Sequence, residues 1–263
     1  MYQIEFEELG AVGNFARAEG LGGEQRVFGS ETVVVRLLDG TISGALLEWA
    51  RTGSRWTYAQ FGNSSISYTG KDGSPIYESF LVAEPKLTVG LSELGAVEEL
   101  ILHTSPGHVE PEAITMAPRW REERASPYEW RDMPFQEKLG WLHLVRGAIG
   151  RKHDDVQSSK FVLEGSRITD VPSLYLALGE AMNGPRGYYG SGLDALSDCL
   201  CGGFGPVPPY TLIFKNSEEA KHYLTWEAWQ RFSLSLGSSV AEGVSLWDEL
   251  LELLGSRVNL VLE

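Results

Sequence analysis

Two aspartates, Asp194 and Asp198, stand four residues apart in the stretch "GYYGSGLDALSDCL" (187–200), directly behind Tyr188 and Tyr189. If the stretch is helical, both carboxylates lie on one face, where like charges cost a helix roughly 0.2–0.5 kcal/mol. The chemistry open to such a pair is charge recognition. A rigid set of carboxylates can satisfy a cluster of Arg, Lys and His side chains without offering a bond to cleave. Two tyrosines in a glycine-rich loop can add large contact surfaces at low entropic cost. Asp194 falls in the first turn, where the helix dipole offsets part of its charge, with Ser191 or Gly192 as N-cap. Asp198 follows one turn later. An Asp-x-x-x-Asp is ordinarily a solvated helix face, and it is the loop before it that sets this one apart.

Other groupings point to less. Gly190 to Ala195 spell G-x-G-x-x-A, but a dinucleotide fingerprint needs a strand immediately before it, and "NGPRGYY" reads as a loop. Cys199 and Cys201, the only cysteines, are too close for a disulfide framework and lack the partners of a zinc site, so Cys199 reads as a small buried hydrophobe. His103 and His108 with Glu110 or Glu112 lack a third ligand fixed by a motif. Trp120, Trp130 and Trp141 read as packing residues ahead of a binding platform. Residues 1–115 show no nucleophile elbow, phosphate loop, metal signature or paired catalytic carboxylates, and their sequence does not reveal a function. The expectation is a binding protein with no enzymatic activity, no cofactor and no metal.

The chain around these residues has 263 positions, enough for two domains, and its 43% hydrophobic content can fill their cores. With 22 basic and 36 acidic residues its formal charge is -14, which repels nucleic acid and anionic membrane and attracts basic partners. Neither a basic leader before an apolar run nor an apolar stretch of about 20 residues is found. Together with the two cysteines this suggests a soluble protein of the reducing cytoplasm.

Three segments differ in pattern. Residues 1–115, net -9, carry short β-like runs and are expected to form a β-rich domain. "ETVVVRLL" and "TISGALLEW" read there as a hairpin around Asp39 and Gly40, followed by strands in "SRWTYAQF", "NSSISYTG" and "SPIYESFLV". Residues 116–159, net +1, form a connector with Trp and Pro. In it Leu139, Leu142, Val145 and Ile149 make one face of an amphipathic helix packed between the domains, and "RKHDDVQSSK" reads as a linker. Residues 160–263, net -6, alternate strands ("KFVLEG", "YTLIFKN", "RVNLVLE") with helices. That order favours a small parallel sheet, because parallel neighbours need crossovers. The expected fold class is thus α+β, a β-rich N-terminal domain joined to a C-terminal α/β domain, and the latter should fold on its own.

The residues 160–263 also resemble the barstar family, intracellular inhibitors of guanyl-preferring ribonucleases such as barnase. "YYGSGLDALSDCL" is similar to the family's signature, "FVLEGSRITDVPSLYLALGEAM" to its first strand and helix, and "YTLIFKN" and "RVNLVLE" to its later strands. In that family the second helix and the loop before it plug the nuclease active site, with carboxylates in the places of substrate phosphates. The resemblance implies a partner-binding set of Tyr188, Tyr189, Gly190, Gly192, Asp194, Ser197 and Asp198, with Glu249 of "LWDELLELL" the nearest match to a further acidic contact. It implies a basic ribonuclease as partner, barnase-like or a toxin nuclease domain, and an immunity role; the alternative is a regulatory or scaffold protein binding another basic protein. Gly192 stands where the best-known member has asparagine and Ser197 where it has tryptophan, so a side-chain cap and an aromatic contact are missing.

Overall fold

Every second side chain of "YQIEF" is apolar, and the strand it forms, β1 (Tyr2–Phe6), buries Ile4 and Phe6 while Glu5 faces out. A computed structural model of the chain describes residues 1–6, 11–21, 33–52, 64–88, 96–105, 110–122, 124–147, 153–157 and 160–263. By contact it divides into two units, Met1–Glu123 and Arg124–Glu263.

In the first unit β1 is joined by β2 (Ala11–Glu19), β3 (Val33–Ile42), β4 (Ser64–Thr69), β5 (Pro75–Thr88) and β6 (Ala96–Ser105). They pair antiparallel in the order β1-β2-β3-β6-β5-β4, and β4 pairs back to β1, from Tyr2 opposite Tyr68 to Phe6 opposite Ser64. The closed barrel leaves no sheet edge open. Its interior holds Ile4, Phe15, Leu37, Ile66 and Leu100, to which helix α1 (Gly44–Thr52) adds Leu46. Helix α2 (Pro111–Glu122) packs on β4 and β5 and buries Ala113, Met116 and Ala117.

Two expectations for this unit are corrected. The chain does not turn back at Asp39 and Gly40: β3 runs through both, and "GALLEWART" is the helix α1, not a returning strand. Asp39 takes φ +55 inside the strand, and a Cβ on Gly40 would come 2.7 Å from Phe15 Cγ. The Asp-Gly pair thus serves close packing of β3 on the Phe15 ring, where the sequence suggested a tight turn. "NSSISYTG" and "SPIYESFLV" do form strands β4 and β5, while "SRWTYAQF" lies outside the described residues.

The second unit opens with helix α3 (Phe135–Gly147), followed by β7 (His153–Val156), β8 (Lys160–Glu164), helices α4 (Val171–Asn183) and α5 (Leu193–Cys199), β9 (Phe204–Pro206) and β10 (Thr211–Lys215). Helices α6 (Ser217–Lys221), α7 (Trp226–Ser235) and α8 (Leu246–Arg257) lead to β11 (Asn259–Leu262). Strands β8, β10 and β11 form a parallel sheet with β10 central, as the helical crossovers require. Helix α4 starts on a capping box: the Asp170 side chain accepts from Ser173 N, and the Ser173 hydroxyl accepts from Asp170 N. It lies against β8, β9, α3 and α7, while α5 packs on α8.

Helix α3 belongs to this unit and packs on α4, with every residue from Lys138 to Val145 buried. The expected single apolar face is therefore too narrow a description; Ile149 lies outside the described residues. Lys138 can be buried because its ammonium donates to Thr169 Oγ1 at 2.7 Å and Asp170 Oδ2 at 3.0 Å. Part of the expected linker is structured too: β7 pairs in parallel with β9, and Gly203 N donates to Asp155 Oδ1 at 2.6 Å.

Candidate functional site

The loop 184–192 and the short helix α5 carry most of the residues singled out by sequence. Gly192 is the N-cap of α5 with no side-chain cap, and Asp194 sits in the first turn. Asp194 and Asp198 are exposed, whereas Leu196 and Cys199 of the same helix are buried. The helix therefore anchors one face and turns two carboxylates outward. Ser197 is half-buried between them in sequence. Burial, reinforced by the negative charge of Asp198, pushes the Cys199 thiol up to about 12, so this cysteine packs as an uncharged hydrophobe. Cys201 is exposed, and both thiols are free.

The tyrosines do the opposite of the aspartates. Tyr189 is 0% exposed and Tyr188 8%, so the expectation of two broad contact surfaces is corrected for Tyr189 and sharply reduced for Tyr188. Tyr189 Oη donates to the Pro206 carbonyl at 2.7 Å and lies 3.2 Å from Tyr210 Oη. Burial raises both hydroxyls above the usual tyrosine range. Tyr188 lies beside the Phe204 ring, 6.0 Å between centroids, and its carbonyl accepts from Asn183 Nδ2 at 2.7 Å. The same amide reaches the Phe204 carbonyl at 2.9 Å, so one side chain ties α4, the loop and β9 together. Buried hydrogen-bonded tyrosines fix the loop that leads into α5.

Gly190 explains the sharp entry. It takes φ +100, and a Cβ there would lie 2.8 Å from Leu196 Cα. Any other residue would be strained in conformation and would push the loop off the helix. Gly192, by contrast, is extended and has open space where a side chain would go. Beneath the helix Tyr175 is buried and stacked on Phe232 at 6.0 Å, and burial, with the field of Asp194 added, keeps its hydroxyl protonated well above the usual range. Glu249 is half-buried in the first turn of α8, the helix on which α5 packs.

Residues the sequence did not single out complete the support: Asn183, Glu180, Arg186 and Tyr210. Arg186 lies in "NGPRG", whose Gly and Pro signalled a loop without indicating that its arginine is bound. Among the described residues no cluster of His, Cys, Asp and Glu could hold a metal ion, and no helix is long and apolar enough to cross a membrane. The arrangement offers an outward pair of carboxylates on a short helix whose base is held from within.

None of the curated proteins compared matches the chain. Residues 159–254, which hold this loop, α5 and most of α8, match the family described as Barstar (barnase inhibitor), a family of inhibitors.

Proposed function

We propose that the protein binds a basic, barnase-like ribonuclease and blocks its active site with the loop 184–192 and helix α5. The observation that carries this reading is the outward exposure of Asp194 and Asp198 on a helix anchored by Leu196 and Cys199. A ribonuclease must gather Arg, Lys and His to hold its phosphodiester and stabilise the charged transition state. Two carboxylates one helical turn apart meet those cations as phosphates would. The net charge of -14 adds long-range attraction that speeds encounter and fades with salt. In this reading Asp194 and Asp198 are the contact residues, Ser197, Gly192 and Glu249 border them, and Tyr189 and Gly190 act from within by fixing the loop.

One observation favours a second reading, a different basic protein as partner. The exposed face carries Ser197 and an open space at Gly192, hence no large side chain between the aspartates and nothing to fill a deep cleft. Calorimetric titration of the full chain against barnase-like ribonucleases, at two salt concentrations, tests the choice. Binding that weakens as salt rises supports nuclease inhibition; no heat with any of them at low salt moves the assignment to the second reading.

A further inference from the structure

We infer that the segment 124–147, which lies upstream of the residues matching the barstar family, is part of the binding apparatus: Glu129 and Trp141 hold Arg186, and through it the loop that seats Asp194 and Asp198. The inference deepens the function proposed above and rests on it for its meaning, though not for its geometry.

Arg186 stands two residues before Tyr188, with its backbone at φ +59, a conformation that non-glycine residues seldom adopt unless held there. Its guanidinium is the holder. Nε donates to Glu129 Oε1 at 2.5 Å and Nη2 to Glu129 Oε2 at 3.0 Å, a fork-to-fork pair that fixes direction as well as distance. The two side chains are only 12% and 5% exposed, so water neither screens nor replaces the pair. The guanidinium also lies 5.1 Å from the centroid of the fully buried Trp141 ring. Glu129 is itself clamped. Its neighbours Tyr128 and Trp130 donate, through a backbone N–H and an indole N–H, to the two carboxylate oxygens of Glu180 on α4, both at 2.8 Å. Glu180 thus fastens the segment that carries Glu129 to α4.

Close packing on α4 continues the hold from Arg186 into the next residue. A Cβ at Gly187 would come 2.6 Å from the Gly179 carbonyl, and Gly187 N donates to the Gly184 carbonyl at 2.8 Å. At Arg186 the segment before the matched residues thus grips the loop through a buried ion pair. A loop ordered before encounter spares the complex the entropy of ordering it afterwards. Arg186 and Glu129 are accordingly positioning residues: they touch the loop, not the partner.

The test uses the full chain without any partner. Backbone hydrogen exchange over 187–192 is compared with that of β10, which reports overall unfolding, in the parent, in Glu129→Gln and in Glu129→Gln combined with Arg186→Met. The double variant leaves no lone buried charge and serves if the single one does not fold. The expected result is exchange faster by about tenfold or more in the loop, with β10 still protected. Loop protection equal to the parent's in a folded variant overturns the inference. Nuclease binding supplies a second reading. Only where the opened form becomes a large share of the population should the association rate fall, by the competent fraction, while dissociation stays the same. A loosened loop in a chain whose parent inhibits no ribonuclease would leave the brace standing and remove the inhibitor reading alone.

Discussion

Arg17 and Asp39 meet on the outside of the barrel with 62% and 59% of their side chains exposed, whereas Arg186 and Glu129 of the second unit meet with 12% and 5% exposed. The contrast extends further. Lys71 and Glu122 also pair in the open, over a barrel interior of Ile, Leu, Val and Phe. In the second unit Lys138 with Asp170, Glu180 with Trp130, and Tyr189 with Pro206 and Tyr210 are all paired away from bulk water. Exposed pairs contribute little and are screened by salt. Buried polar pairs add little net stability but penalise every other arrangement, because a partner left unmatched in a low dielectric is costly. The barrel is thus a shape maintained by apolar burial, and the second unit spends its polar groups on holding one loop and one acidic helix in place.

The largest expected effect separates presenting residues from supporting ones. Asp198→Ala should weaken nuclease binding by about 2–5 kcal/mol or more, a magnitude that belongs to the barnase–barstar pair and is carried over to this chain, and by more than Asp194→Ala does. Asp198→Ala should not lower stability in urea, since it relieves repulsion between two exposed carboxylates, and Asp194→Ala should change it little, because the relieved repulsion is set against the lost interaction with the helix dipole. Easier unfolding with unaltered binding would mark the pair as structural. The converse belongs to the barrel. Leu100→Ala, at a position with 0% exposure, should cost the first unit about 2–5 kcal/mol in urea unfolding while binding stays at the parent's level. A parallel loss of binding would show that the barrel shares the contact face.

How much of this was legible in the sequence follows from how local each signal is. The strand and helix patterns of 160–263, the glycine-rich loop and the i, i+4 aspartates all lie within a few residues, and β8, α4, α5, β10 and β11 fall where those patterns put them, whereas β9 carried no such signal. Asp39–Gly40 carries an equally local turn signal but was overruled by pairing of β3 with both β2 and β6. "HDDV" became a strand only through β9, about fifty residues on. The direction of the tyrosines could not be read either, since Tyr189 points inward because of Pro206 and Tyr210. Nor does anything near Arg186 announce Glu129, 57 residues earlier.

A smaller effect tests the inward tyrosine. Tyr189→Phe keeps the ring but leaves the Pro206 carbonyl and the Tyr210 hydroxyl without their partner, which should cost about 1 kcal/mol in urea unfolding. Its effect on binding should be well below that of Asp198→Ala; the reverse order would make Tyr189 a contact residue after all. The smallest effect is in pH dependence. Burial raises the Glu180 carboxyl above its usual value of 4.5, against the pull of hydrogen bonds from Tyr128 and Trp130. The folded state therefore holds this proton to higher pH than the unfolded state, so its contribution is complete below 4.5 and is lost as pH rises through the raised value. Glu180→Gln should flatten the fall in unfolding midpoint across that window by a few tenths of a kcal/mol. An unchanged slope would assign the dependence to other groups.

If the second unit plugs the active site of a ribonuclease, RNA cleavage reports it most directly. The full chain is titrated into a barnase-like ribonuclease and the initial rate of cleavage is followed. Activity should fall to zero near equimolar addition, added salt should relieve the block, and Asp198→Ala should shift the titration to a large excess. Cleavage at an undiminished rate with the chain in excess, or equal inhibition by the parent and Asp198→Ala, would contradict it.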